Sequence, residues 1–174
     1  MEFTRAEKAL RLFNGGYTCS QSTVLAFEDL LPVGRTELLR LSSSFGAGMA
    51  GMHDVCGALT GTFIVTGLLY GFDAPYPGDA MRIQYTRLRG LAHEFRSYHG
   101  SILCRELNPL HMLRNPEGTP KNNPRCAELI TFAVYKMEAH LFMAYLIRAA
   151  NIAYRAEQLA ARIEELEKKN GNQS

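Results

Sequence analysis

Apolar residues recur along this chain at helical spacing, and no segment alternates convincingly with period two. Ala6, Ala9, Leu10 and Phe13 predict a helix over 4–13, stopped by Asn14-Gly15-Gly16. Thr18 with Gln21 is a capping-box pattern and opens a second helix through Val24, Leu25, Phe27 and Leu31, ended by Pro32 and Gly34. A short third helix is expected over 36–45. A glycine loop follows (Gly46, Gly48, Gly51), and then a run from Val55 to Phe72 without Asp, Glu, Lys, Arg or Asn. Its glycines lower helix propensity but let other backbones approach, so it reads as a buried central helix with Asp54 as N-cap.

Pro75 and Pro77 place a loop before the next helix, expected from Asp79 to about Tyr98 and closed by Gly100. Ser101 then caps a short turn, SILCREL, with Cys104 at its third helical position. Four prolines between Asn108 and Pro124 predict a loop over 108–123. Asn123-Pro124 is a strong helix start, and the pattern runs on to about Lys168 with no further Pro or Gly. Such a helix is about 65 Å long. Its distal half carries a seam alternating three and four: Phe142, Tyr145, Ala149, Ile152, Ala156, Leu159, Ile163 and Leu166. The expected fold is all-α, a compact bundle around a buried glycine-rich helix. Residues 1–135 form the domain and 136–174 a helical extension suited to homodimerisation.

Composition narrows the function. The 19 basic and 17 acidic residues nearly balance, which gives no electrostatic footprint for nucleic acid. The run 55–72 approaches a membrane span in length, but its threonines and glycines dilute it and no basic cluster flanks it, so no membrane insertion is expected. The N-terminus lacks the pattern of a secretory signal, which points to the cytoplasm, where thiols stay reduced.

The cysteines are the candidate chemistry. Cys19, Cys56, Cys104 and Cys126 are far apart in sequence and show no CxxC or zinc-finger spacing. Each falls in the first turn of a predicted helix, where free N–H groups and the helix dipole favour an anion and lower a thiol pKa. Four such starts converging would hold a cysteine-ligated metal or an iron–sulfur cluster. Two alternatives use the same residues: a metal-free dithiol–disulfide pair, or inert cysteines in a helical interaction protein. Gly46 to Gly51 matches G-x-G-x-x-G, but no strand precedes it, so a dinucleotide site is not expected. Its N–H groups could instead face the cysteines as an anion-binding nest. His53, three residues from Cys56, could be a fourth ligand or a proton donor, but reads first as an exposed loop residue. His93, His99, His111 and His140 receive no role, and no catalytic residue is assigned.

Cys19 within YTCSQSTVLAF, then Cys56-Gly-Ala-Leu-Thr-Gly61, then Cys104 in CREL, then Cys126, resembles a redox-active family named for its cysteine pattern, C_GCAxxG_C_C. The resemblance covers about residues 15 to 135. The chain departs from the pattern by reading CGAxxG and by its long helix past Tyr135. The resemblance implies a small helical redox protein. Because similar domains accompany haem in split-Soret cytochromes, it also implies a [2Fe–2S]-type cluster on the four cysteines, exchanging electrons with a redox partner that the resemblance does not name.

Overall fold

The computed structural model describes residues 4–109 and 123–171, and side chains as far as residue 163. The loop expected over 108–123 and His111 fall almost wholly outside the described residues, as does the Leu166 side chain. The fold is all-α. In order come α1 (Arg5–Asn14), α2 (Cys19–Leu25), a 3-10 turn (Glu28–Leu30), α3 (Arg35–Ser43), α4 (Gly57–Tyr70), α5 (Asp79–His99), α6 (Cys104–Leu107) and α7 (Pro124–Gly171). The chain divides into two units, Met1–Met137 and Glu138–Ser174.

In the first unit, α2 and α4 pack together at the centre, with α1 and α3 against α2 and α5 against α4. The contact is close because its residues are small. A Cβ added at Gly61 would lie 2.7 Å from Thr23 Cβ and 3.1 Å from the Ser20 carbonyl. Several polar side chains in this core are satisfied by backbone, although the buried Ser22 hydroxyl has no partner among the described residues. Thr62 donates to the Leu59 carbonyl at 2.7 Å, Thr66 to Thr62 at 2.6 Å, and Ser20 to Ser42 at 2.8 Å. Each such bond removes the penalty of burying a hydroxyl, about 1–3 kcal/mol. Phe13, Leu25, Phe27, Leu38, Leu59, Phe95, Ile130 and Met137 complete the core.

The predicted caps at both ends of this order are present. Thr18 and Gln21 form the capping box of α2, with Gln21 N–H on Thr18 Oγ1 at 3.2 Å and Thr18 N–H on Gln21 Oε1 at 3.1 Å. Asn123 Oδ1 accepts from the N–H groups of Arg125 at 3.0 Å and Cys126 at 3.1 Å, capping α7.

Three helix starts or ends differ from expectation, that of α6 because Leu103 and not Ser101 is its N-cap residue. Helix α2 stops at Leu25 instead of reaching Leu31. Arg5 takes the Ala26 carbonyl at 2.8 Å and pairs with Asp29, so a side chain occupies the acceptor that the next helical turn needs. Helix α4 starts at Gly57, and Cys56 itself is the N-cap residue. Asp54 does not cap it, because its carboxylate pairs with Arg105 at 2.9 Å.

Candidate functional site

The four cysteines lie far apart along the chain but line one cavity, together with Ala47, Gly57, Ala58, Asn108 and Leu129. All four are unbridged and buried, between 4% and 9% exposed. Cys19 is the first residue of α2, Cys56 the N-cap of α4, Cys104 the first residue of α6, and Cys126 the third of α7. Each cysteine therefore stands at a helix start as predicted, with Cys104 two positions nearer its start than expected, and the structure supplies the convergence that the sequence left open.

Backbone pairing between segments far apart in the chain brings two of these starts together. Val55 and Leu103 form an isolated antiparallel bridge. Around it, Cys56 N–H donates to the Ile102 carbonyl at 2.8 Å, Cys104 N–H to Asp54 at 2.6 Å, and Arg105 N–H to His53 at 3.0 Å. The Asp54–Arg105 ion pair lies over the same seam. Ser101 Oγ accepts from Leu103 N–H at 3.0 Å and bonds Glu106, holding the turn into α6.

Glycines let the sulfurs in. A Cβ at Gly57 would lie 2.3 Å from Cys19 Sγ and 2.8 Å from the Phe45 carbonyl. One at Gly48 would lie 2.6 Å from Cys104 Cβ. The loop around Gly48 is a left-handed turn: Ala47, Gly48, Met49, Ala50 and Gly51 all have φ between 49° and 79°, and His53 has φ 57°. Each non-glycine residue in that conformation costs about 1–2 kcal/mol. The turn is held by Asp54 N–H on the Gly48 carbonyl at 2.9 Å and His53 N–H on Ala47 at 3.3 Å. It is no dinucleotide loop, since it precedes the β-bridge and not a βαβ unit. Part of it does face the cysteines, because the Ala47 N–H reaches the Cys19 sulfur.

Burial dominates the electrostatics. It raises the Cys19 thiol pKa even though the N–H groups of Ala47, Ser20, Cys19 and Gly57 pull the other way. It raises Cys56 further, with Cys19 as a second cause. It pushes Cys104 up to about 11 and Cys126 up to about 12. The sequence-based expectation that helix starts would lower these pKa values is thus overturned: desolvation outweighs the helix-end donors. In the absence of a cation all four groups are neutral thiols near pH 7.

Three further residues border the cysteines. Asn108 is buried, and its Nδ2 donates to Cys126 Sγ at 3.7 Å. Ala47 was read as part of a glycine loop, yet it supplies an N–H to sulfur. His53 was read as exposed, but it is half-buried with Nδ1 4.0 Å from Cys104 Sγ. The sequence offered the glycine loop as a nest and placed His53 three residues from Cys56, whereas Asn108 beside the CREL segment carried no signal of its own. Among the remaining histidines, His99 packs against Phe95, Tyr98 and Phe132, away from the cavity lining.

The donor set suits cysteine-ligated iron in number and kind. The N–H groups at Cys19 and Cys56 suit sulfurs that carry charge. Room is tight: the cavity of about 10 Å³ holds about one water. Among the described residues no three Cys, His, Asp or Glu side chains surround a single metal position. A mononuclear site therefore requires sulfurs to move. A dinuclear cluster needs only two thiolates at each iron, and Cys56 and Cys104 directly follow the two residues of the Val55–Leu103 bridge. Turning a cysteine about Cα–Cβ shifts its sulfur while the backbone stays in place.

A family model described as "Putative redox-active protein (C_GCAxxG_C_C)" matches residues 17–140, well over half of the chain. No curated protein and no solved structure matches it.

Proposed function

The chain belongs to the redox-active C_GCAxxG_C_C family, and on that footing we propose that it is an electron-transfer protein whose Cys19, Cys56, Cys104 and Cys126 ligate a [2Fe–2S]-type cluster. The observation that carries this reading is the shared cavity of the four cysteines, with backbone N–H groups aimed at two of their sulfurs. A bound cluster supplies one-electron exchange with a redox partner.

The chain's own residues do the rest. The Val55–Leu103 bridge and its flanking backbone hydrogen bonds hold Cys56 and Cys104 in fixed relation. Helix α2 and helix α7 bring Cys19 and Cys126 to the same cavity. The N–H groups of Ala47 and Gly57, and the Asn108 amide, stabilise negative charge on Cys19 and Cys126. Burial keeps water from the sulfurs. The raised thiol pKa values favour this reading over metal-free thiol–disulfide exchange, which needs an accessible thiolate. A metal supplies the positive charge that burial otherwise denies, and deprotonates its thiol ligands outright. Unbridged cysteines suit a reducing compartment such as the cytoplasm.

The test is iron and acid-labile sulfide content, with a visible spectrum, on protein purified without oxygen. Equal iron and sulfide, with charge-transfer bands lost in Cys56→Ser, are expected. Zinc without sulfide replaces the cluster by another metal. A colourless, metal-free protein rejects metal binding and returns the weight to the dithiol.

A further inference from the structure

The second unit, Glu138–Ser174, is the distal part of α7 and has apolar side chains open to solvent. Phe142, Tyr145, Ile152, Leu159 and Ile163 are between 55% and 68% exposed. A single helix with this much apolar surface needs a cover.

The pattern says what the cover is. With Phe142 at heptad position a, the other a residues are Ala149, Ala156 and Ile163, and d holds Tyr145, Ile152 and Leu159. From 142 to 163 this is three heptads, about 33 Å of helix. A strict seven-residue repeat keeps its stripe turned toward a partner with the same repeat, which a second copy supplies. Position g holds Arg148, Arg155 and Arg162, while position e holds Leu146, Ala153 and Ala160.

We propose that this face is covered by a second copy of the chain, in a parallel, in-register, two-stranded coiled coil. The charge files choose the orientation. In an antiparallel pair the g files face each other, which sets arginine against arginine. In a parallel pair each g file faces the partner's e file. There the alanines leave space for the arginine stems, and the guanidinium heads reach water. Lipid is the competing cover, because Pro124–Ile163 is long and apolar enough by composition to cross a membrane. Arginines at every seventh residue beside the stripe make burial in a bilayer costly, whereas a coiled coil leaves them solvated.

Sedimentation velocity on the full chain at micromolar concentration is expected to show a dimer. Ile152→Asp with Leu159→Asp should give a monomer of unchanged helicity in its first unit, and Ala161→Asp, at position f, should remain a dimer. Ala149→Cys and Ala156→Cys should each form a covalent dimer under mild oxidation, while the buried native cysteines leave the unsubstituted chain uncrosslinked. An antiparallel pair can self-pair at no more than one of these positions, so crosslinking at only one overturns the parallel register. A monomeric wild type overturns the proposal. So does a tetramer, or a monomer that floats with phosphatidylcholine vesicles.

Discussion

Helix α4 and the distal half of α7 are both apolar, yet they meet water in different ways. Helix α4 has no charged residue, and its first six residues are buried. Gly57 and Gly61 let α2 approach so closely that a methyl group on either would overlap a neighbour. Its threonines return their hydroxyls to the helix's own carbonyls. Distal α7 carries bulky side chains along its heptad stripe and others off it at Met143, Ile147 and Tyr154, with arginines beside the stripe, and exposes them all. The contrast teaches that apolar content alone does not decide burial. Small residues permit a close intramolecular contact, whereas large ones at seven-residue spacing, flanked by charge, leave a face for another helix.

Substitutions can break that contrast, and the largest effect is expected at Gly57. Gly57→Ala puts a methyl group into Cys19 Sγ and the Phe45 carbonyl, and should cost about 3 kcal/mol, the upper range for overpacking. Chemical denaturation reads the loss, and a midpoint equal to wild type would mean that α4 and Cys19 are not in such close contact. Gly61→Ala meets Thr23 and the Ser20 carbonyl and should cost about 2 kcal/mol in the same assay.

Titration of the thiols comes next and probes only the four-cysteine side. The folded chain holds Cys104 near 11 and Cys126 near 12, against an ordinary thiol value of 9.0. A raised folded pKa means that the native state keeps protons the unfolded state loses. The stability these thiols contribute is therefore complete below about pH 9 and is lost as pH rises through 11 and 12. The melting temperature of metal-free protein should fall steadily above about pH 9. A flat profile from there to pH 11 would mean that the thiols are less desolvated than their burial implies.

Smaller effects sharpen the comparison. Asn108→Leu removes the side-chain donor to Cys126 and should lower the reduction potential of a loaded site by the equivalent of about 1 kcal/mol, measured by redox titration. No change would leave Asn108 a packing residue only. Gly67→Ala tests the other end of α4, where the residue is exposed and a Cβ meets nothing within 4 Å. There alanine should stabilise by about 0.5–1 kcal/mol, so the same substitution changes sign within one helix.

Much of the local structure was legible because its causes are local. The Thr18–Gln21 box, the Asn123-Pro124 start and the stop at Gly100 are all satisfied by residues within a turn of one another. The misplaced boundaries of α2 and α4 have distant causes. Arg5 truncates α2 from 21 residues away, and Arg105 draws Asp54 away from the start of α4. The candidate cysteines could be named in advance from their helix starts, but their acidity was misjudged. A helix end is visible in sequence, whereas the desolvation that outweighs it depends on everything packed around the sulfur.

The sequence by itself determined the all-α class, the Thr18 and Asn123 caps, the heptad stripe with its arginine file, and the four cysteines at helix starts, since each follows from residues a few positions apart. Only the tertiary structure decided that the four sulfurs share one cavity and that the glycine loop winds left-handed against Cys19 and Cys104. It also decided that the Val55–Leu103 bridge ties two of the helix starts together. Those features depend on contacts between residues tens of positions apart, and on the low-dielectric surroundings that such contacts create, for which spacing along the chain carries no signal.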